Sequence, residues 1–116
     1  MLHKMRLYNV PFESIQSERK TVEVRLNDEK RRSLQIGDEI EFTKLPNQNQ
    51  KLRVQVIGLK TFPTFKEMYE SIPSSAFDTQ GESIQGMVEN TYQIYTPEQE
   101  KKWGTLAIEM KLLDKN

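Results

Sequence analysis

Lys20-Thr21-Val22-Glu23-Val24-Arg25-Leu26 (residues 20–26, KTVEVRL) alternates apolar and polar side chains with the period of two that a β-strand imposes. Val22, Val24 and Leu26 then share one face, and Thr21, Glu23 and Arg25 share the other. The stretch predicts a strand with a core side and a polar side. Lys20 stands at its entry and can swing to either. The same pattern recurs outward. Residues 38–45 follow the Ile36-Gly37-Asp38 turn, with Ile40 and Phe42 alternating against Glu39 and Glu41. Residues 52–59 set Leu52, Val54 and Val56 against Arg53 and Gln55, and the PNQNQ stretch at 46–50 has the composition of a hairpin loop. Residues 105–113 predict a last strand, with Leu106, Ile108, Met110 and Leu112 on one face.

Helices fill the gaps. Thr64-Phe65-Lys66-Glu67 is a capping-box pattern, and the helix it opens should stop before Pro73. Ile84, Met87, Val88, Tyr92 and Tyr95 keep helical spacing over residues 83–95. Thr96-Pro97-Glu98-Gln99 opens another short helix, with Thr as cap and Pro at the first helical position. Gly104 can end it before the final strand. Residues 11–17 predict one more short helix, and Asp28 to Arg32 a single turn. Strands joined by loops and short helices, without regular alternation with long ones, predict a strand-dominated α+β fold. A mostly antiparallel sheet curled into a small β-barrel removes exposed edges, with the short helices flanking it.

At 116 residues the chain has the size of one domain with one core, taken as residues 1–116. It has no cysteine and a single histidine, His3, which excludes thiolate zinc sites and multi-histidine metal centres. No metal and no cofactor is expected. No apolar run approaches the ~20 residues a membrane span needs. The stretch MLHKMRLYNV lacks the apolar core of a signal peptide, so the cytoplasm is the expected location. Net charge is zero, which counts against gripping long nucleic acid by charge alone. Residues 1–60 nevertheless carry 12 Lys/Arg against 8 Asp/Glu and the remainder 5 against 9, so positive charge gathers in the first half.

Lys20, Thr21, Glu23 and Arg25 are the candidate site. Arg offers a planar fork of donors for a phosphate or a base edge, and Glu accepts from exocyclic amines. Lys20 and Glu23 could instead do acid–base work if burial shifted their pKa values. An ordinary solvated strand face with Glu23 and Arg25 paired to neighbours fits the same pattern. Lys30-Arg31-Arg32 could steer a polyanion toward this strand or be a solvated face. Tyr92 and Tyr95 read as core, while Trp103, at a helix end, is placed to show a stacking surface.

Lys20, Glu23 and Arg25 also match the Lys-x-x-Glu-x-Arg core of the ASCH domain, of the PUA-like group. Residues 26–31 and 36–42 resemble that family's continuation, as does the ending Tyr95-Thr96-Pro97-Glu98-Gln99-Glu100-Lys101-Lys102-Trp103-Gly104. The resemblance covers roughly residues 4–113. It implies a PUA-like barrel with flanking helices and a charged cleft lined by the Lys, Glu and Arg, binding RNA or a modified nucleotide. The chain departs from the family pattern at Glu18, where relatives have Gly two residues before the Lys; there it would put a negative charge at the cleft mouth. A second departure is Trp103, a Tyr in many relatives. A branch of similar proteins hydrolyses acetylcytidine with a Lys and a Thr of this strand; Lys20 matches, and Glu23 stands at the Thr position. The resemblance therefore leaves an amidohydrolase acting on an acylated nucleoside as the alternative, with Lys20 and Glu23 as its catalytic pair. A protein-interaction module is a third reading.

Overall fold

The computed structural model describes residues 1–113. Five strands form one sheet: β1 (Leu2–Tyr8), β2 (Val22–Leu26), β3 (Glu39–Leu45), β4 (Lys51–Phe62) and β5 (Thr105–Leu112). Their order is β1-β3-β4-β5-β2. β1 pairs with β3 in parallel, and the other three ladders are antiparallel. The helices are α1 (Asn9–Gln16), α2 (Glu29–Arg32), α3 (Phe65–Ser71), α4 (Ile84–Thr91) and α5 (Pro97–Trp103), with a 3₁₀ turn at Ser74–Phe77. None among the described residues is long and apolar enough to cross a membrane.

Two expectations need correction. Helix and strand take roughly equal shares, so the fold is α+β but not strand-dominated. The polar stretches between strands carry their own caps and fold as helices: Thr64 accepts from the Glu67 N–H (3.1 Å), and Thr96 and Gln99 close a reciprocal capping box. Nor does the sheet close. It is a curled half-barrel, because its outer members β1 and β2 form no ladder with each other. β2 is only five residues long and is already paired along its other side with β5. A side chain spans the gap instead, Arg25 Nη2 donating to the Arg6 carbonyl at 3.0 Å.

The alternating strands bury the residues their period assigns: Ile40, Phe42, Leu52, Val54, Val56, Leu106 and Ile108 sit in the main core with Met5, Leu7, Phe12 and Ile15. A second cluster of Val22, Met68, Ile72, Phe77, Met87 and Ala107 packs α3, the 3₁₀ turn and α4 on the opposite face of β5 and β2. Both faces of β5 are therefore covered, which is why Thr105 and Ala107 are as buried as their neighbours. β4 runs past residue 59 to Phe62, its register on β5 shifting by one residue between Val56 and Gly58. α4 ends at Thr91 rather than Tyr95, and residues 93–95 turn back on the Asn90 and Thr91 carbonyls. Glu18, after α1, has φ +64. That is the left-handed backbone a glycine adopts freely, which accounts for Gly at this place in the family pattern.

Candidate functional site

The unpaired seam between β1 and β2 is the mouth of a cleft of about 450 Å³. Arg6, Leu7 and Tyr8 come from β1, Pro11 from α1, and Glu23, Val24 and Arg25 from β2, with Lys20 just before it. The facing wall is Tyr69 of α3, Phe77 of the 3₁₀ turn, Met87, Asn90 and Thr91 of α4, and Ile94 and Tyr95 beyond it.

Glu23 lies at the centre of the charged part, only 3% exposed. Lys20 Nζ is 3.1 Å from its Oε1, and Arg25 Nη2 and Nε are each 2.8 Å from its Oε2. The Lys20 and Arg25 side chains are themselves 15% and 12% exposed. Burial pushes the Glu23 carboxyl up, but the positive charges of Lys20 and Arg25 and their hydrogen bonds outweigh it, and the net shift is downward. Glu23 is thus a carboxylate held between two cations. Burial works against the charged Arg25, yet Glu23 and then Tyr95 hold its pKa above the ordinary value. Tyr95 and Tyr69 are both raised, chiefly by burial, which keeps their hydroxyls protonated. The Thr91 hydroxyl donates to the Met87 carbonyl (2.8 Å), so the Tyr69 hydroxyl donates to Thr91 Oγ1 (2.7 Å). The Tyr95 ring stacks on Phe65 (centroids 5.8 Å apart, planes 17°), and the Tyr69 ring meets Phe77 edge-on at 5.2 Å. The aromatic wall is thereby fixed before anything binds.

Of the four candidate residues, Lys20, Glu23 and Arg25 are brought together, and Thr21 is not. Thr21 precedes the strand, its N–H donates to the Ala76 carbonyl (2.9 Å), and its exposed side chain faces a shallow groove with Ile57 and Met110. Glu18 borders that groove and not the cleft. Glu23 departs from an ordinary polar strand face, because it lies opposite Ile108 on the main-core face of the sheet, while α3 and α4 pack on the Val22 side of β2. Tyr92 is half exposed rather than core, its hydroxyl donating to the buried Glu100 (2.7 Å), which also accepts from the Phe65 N–H (2.8 Å). Tyr95 is half-buried and lines the cleft. Tyr69, Phe77, Met87, Asn90 and Ile94 carried no sequence signal as wall residues, since they come from separate segments. Among the described residues, no three His, Asp or Glu side chains converge as metal ligands.

The architecture is that of an α+β fold with a five-strand curled half-barrel sheet and several helices. The chain belongs to the ASCH domain family, whose model matches residues 5–114. The hypothetical protein PH0355 has a crystal structure superposing with a TM-score of 0.87 at 35% identity, over 97% of this chain and 100% of that one. Protein PF0455 from Pyrococcus furiosus superposes with a TM-score of 0.78 at 32% identity, over 98% and 99% of the two chains. The ASCH domain from Lactobacillus crispatus shares the fold at 11% identity, with a TM-score of 0.66 over 95% of this chain and 79% of that one. No curated protein matches the sequence.

Proposed function

We propose that the chain is a binding module for RNA or a modified nucleotide, with one nucleotide held in the seam cleft. The observation that carries the reading is the Glu23 carboxylate, buried and ionised between Lys20 and Arg25 in an otherwise largely apolar cleft. Buried ion triads are costly and add little to stability compared with apolar packing, so one that lines a cleft is a candidate recognition site. The volume falls in the ~300–1,000 Å³ range of small-molecule pockets, which likewise combine apolar walls with a few convergent polar groups. Tyr95, Tyr69 and Met87 offer apolar surface to a base. Lys20, which spends one of its three donors on Glu23, and Arg25 offer N–H groups to a base edge or phosphate. Glu23 orients both. Thr21 lies outside the cleft, and the proposed binding set is Lys20, Glu23 and Arg25. Such a ligand would be met in the cytoplasm, the location we propose.

Calorimetric titration with nucleosides, nucleotides and short RNAs tests this. Lys20→Met leaves the Glu23–Arg25 pair intact and should weaken binding roughly tenfold, the cost of one charge-assisted hydrogen bond. Unchanged affinity in that variant would remove Lys20, and with it the reading. The 3.1 Å contact between Lys20 and Glu23 also favours a second reading, hydrolysis of an acylated nucleoside with Glu23 as base. Against it stands the lowered Glu23 pKa, because a carboxylate stabilised by two cations is a weak base near neutrality. Mass spectrometry of an acetylcytidine incubation decides between them: loss of the acetyl group makes the chain an enzyme.

A further inference from the structure

Beyond the cleft, the ends of α2 and α5 meet where Arg32 reaches the Trp103 ring, near the bond from the Asn27 N–H to the Gly104 carbonyl (3.0 Å). Their last turns carry Lys30, Arg31 and Arg32 on one helix and Lys101 and Lys102 on the other. Trp103 sits between them, with the Arg32 guanidinium carbon 5.6 Å and Lys102 Nζ 4.9 Å from its ring centroid. Arg31 is bound to Asp28 (3.3 Å), but among the described residues Lys30, Arg32, Lys101 and Lys102 have no carboxylate partner. Helix C-termini attract cations, which accounts for basic last turns one at a time. It does not account for four cations without a carboxylate partner on two adjoining helix ends, where like charges repel, nor for Arg32 and Lys102 reaching the same indole. The ring, together with the bond from Arg32 Nε to the Asn27 carbonyl (2.8 Å), holds two of them in place and lowers the entropy lost when an anion binds.

This face is continuous with the cleft. Tyr95 lines the cleft, Thr96 caps α5 directly after it, and Arg31 is close enough to the Tyr95 hydroxyl to act on it electrostatically. Seven residues of helix carry the chain about 10 Å from Tyr95 to Trp103 at ~1.5 Å per residue. That distance spans about three phosphates of a stacked strand at ~3.4 Å each. A cleft that admits one base requires its neighbours to be unpaired. We propose that the face built by Lys30, Arg32, Lys101, Lys102 and Trp103 is a phosphate track for a single-stranded polynucleotide, one nucleotide of which enters the cleft. The proposal rests on the nucleotide-binding reading above and extends it from a free nucleotide to a strand.

The test compares the protein with a Lys30→Gln/Lys101→Gln/Lys102→Gln variant, whose substituted side chains are exposed and outside the core. Fluorescence anisotropy with a labelled single-stranded RNA of about ten nucleotides should show a tenfold or greater loss at about 0.1 M salt. The slope of log affinity against log salt should flatten by about 2, three charges at ~0.7 each. Mononucleotide affinity in the cleft should stay unchanged. Unaltered RNA affinity and salt slope would overturn the track, as would competition by polyglutamate as strong as that of unlabelled RNA. Lys20→Met separates the two proposals. If it changes neither mononucleotide nor RNA binding while the triple variant loses RNA, the cleft reading fails and the track stands alone.

Discussion

Replacing Glu23 by Gln removes one charge while keeping the side chain's shape. In the parent, the carboxylate accepts from Lys20 at 3.1 Å and from two Arg25 nitrogens at 2.8 Å. In Glu23→Gln, two largely buried cations face each other across a neutral amide, one end of which is a donor pointed at a donor. Breaking a buried pair by removing one partner costs ~3–5 kcal/mol. Water entering the cleft and the remaining bond from Arg25 to the Arg6 carbonyl place this case at the low end, about 3 kcal/mol. For a domain of this size that lowers the thermal midpoint by roughly 10 °C. The acid limb carries a second signature. Because the folded Glu23 pKa is depressed below its ordinary 4.5, its contribution is fully present above that value and is lost as pH falls through the folded one. The gap between parent and variant should therefore be constant from neutrality down to about pH 5 and shrink below it. Calorimetric melts across that range read both effects. A variant midpoint within about 2 °C of the parent at neutral pH would refute the claim that Glu23 compensates two buried cations.

Arg25→Lys keeps the charge but loses the fork that reaches Glu23 and the Arg6 carbonyl together; urea unfolding should show a loss of about 2 kcal/mol, and an unchanged midpoint would mean the seam holds without it. Gly104 ends α5 at φ +72, and an added Cβ would lie 3.3 Å from the Phe62 carbonyl. Gly104→Ala should accordingly cost about 2 kcal/mol in the same assay, and a loss under about 0.5 kcal/mol would refute strain at that turn. Asp38 is held at about 2, below its ordinary 3.8, first by the His3 ring nitrogen (2.8 Å) and also by the Gln35 N–H (3.0 Å). Its contribution is present above about pH 4 and lost as pH falls toward 2, so Asp38→Asn should flatten that part of the stability curve, and an identical acid limb would contradict it.

What the sequence disclosed depended on how local the determining contacts are. Strands β3 and β4 alternate strictly because one face meets the core, so Ile40, Phe42, Val54 and Val56 announced themselves. The caps at Thr64 and Thr96 act within four residues and were equally plain. β1 was not, since only Met5 and Leu7 of its seven residues point inward and its parallel partner lies some thirty-five residues away. The parity of β2 was readable, but its environment was not. Alternation separates Glu23 from Val22 and Val24, yet it cannot tell that both sides will be covered, the Val22 side by helices from residues 65–91 and the Glu23 side within the main-core face it shares with Ile108. The cleft wall fails for the same reason: Tyr69, Phe77, Met87 and Tyr95 become neighbours only through packing.

The departure from a closed barrel and the existence of the site have one cause. A ladder between β1 and β2 would bring their backbones to about 4.8 Å and leave no room between them. Here the edges stand apart and are joined by the Arg25 side chain, whose guanidinium needs a counter-charge once it is enclosed. Glu23, two residues earlier on the same face of the strand, supplies it. Lys20 then balances a carboxylate that would otherwise stay half-compensated, and its remaining donors are left facing the cleft. Filling the seam with apolar side chains would give a tighter fold at no electrostatic cost, but it would erase both the volume and the donors. On the nucleotide-binding reading proposed above, what enters the seam brings acceptors for Lys20 and Arg25 and an apolar face for Tyr69 and Tyr95, the two properties that a nucleobase combines.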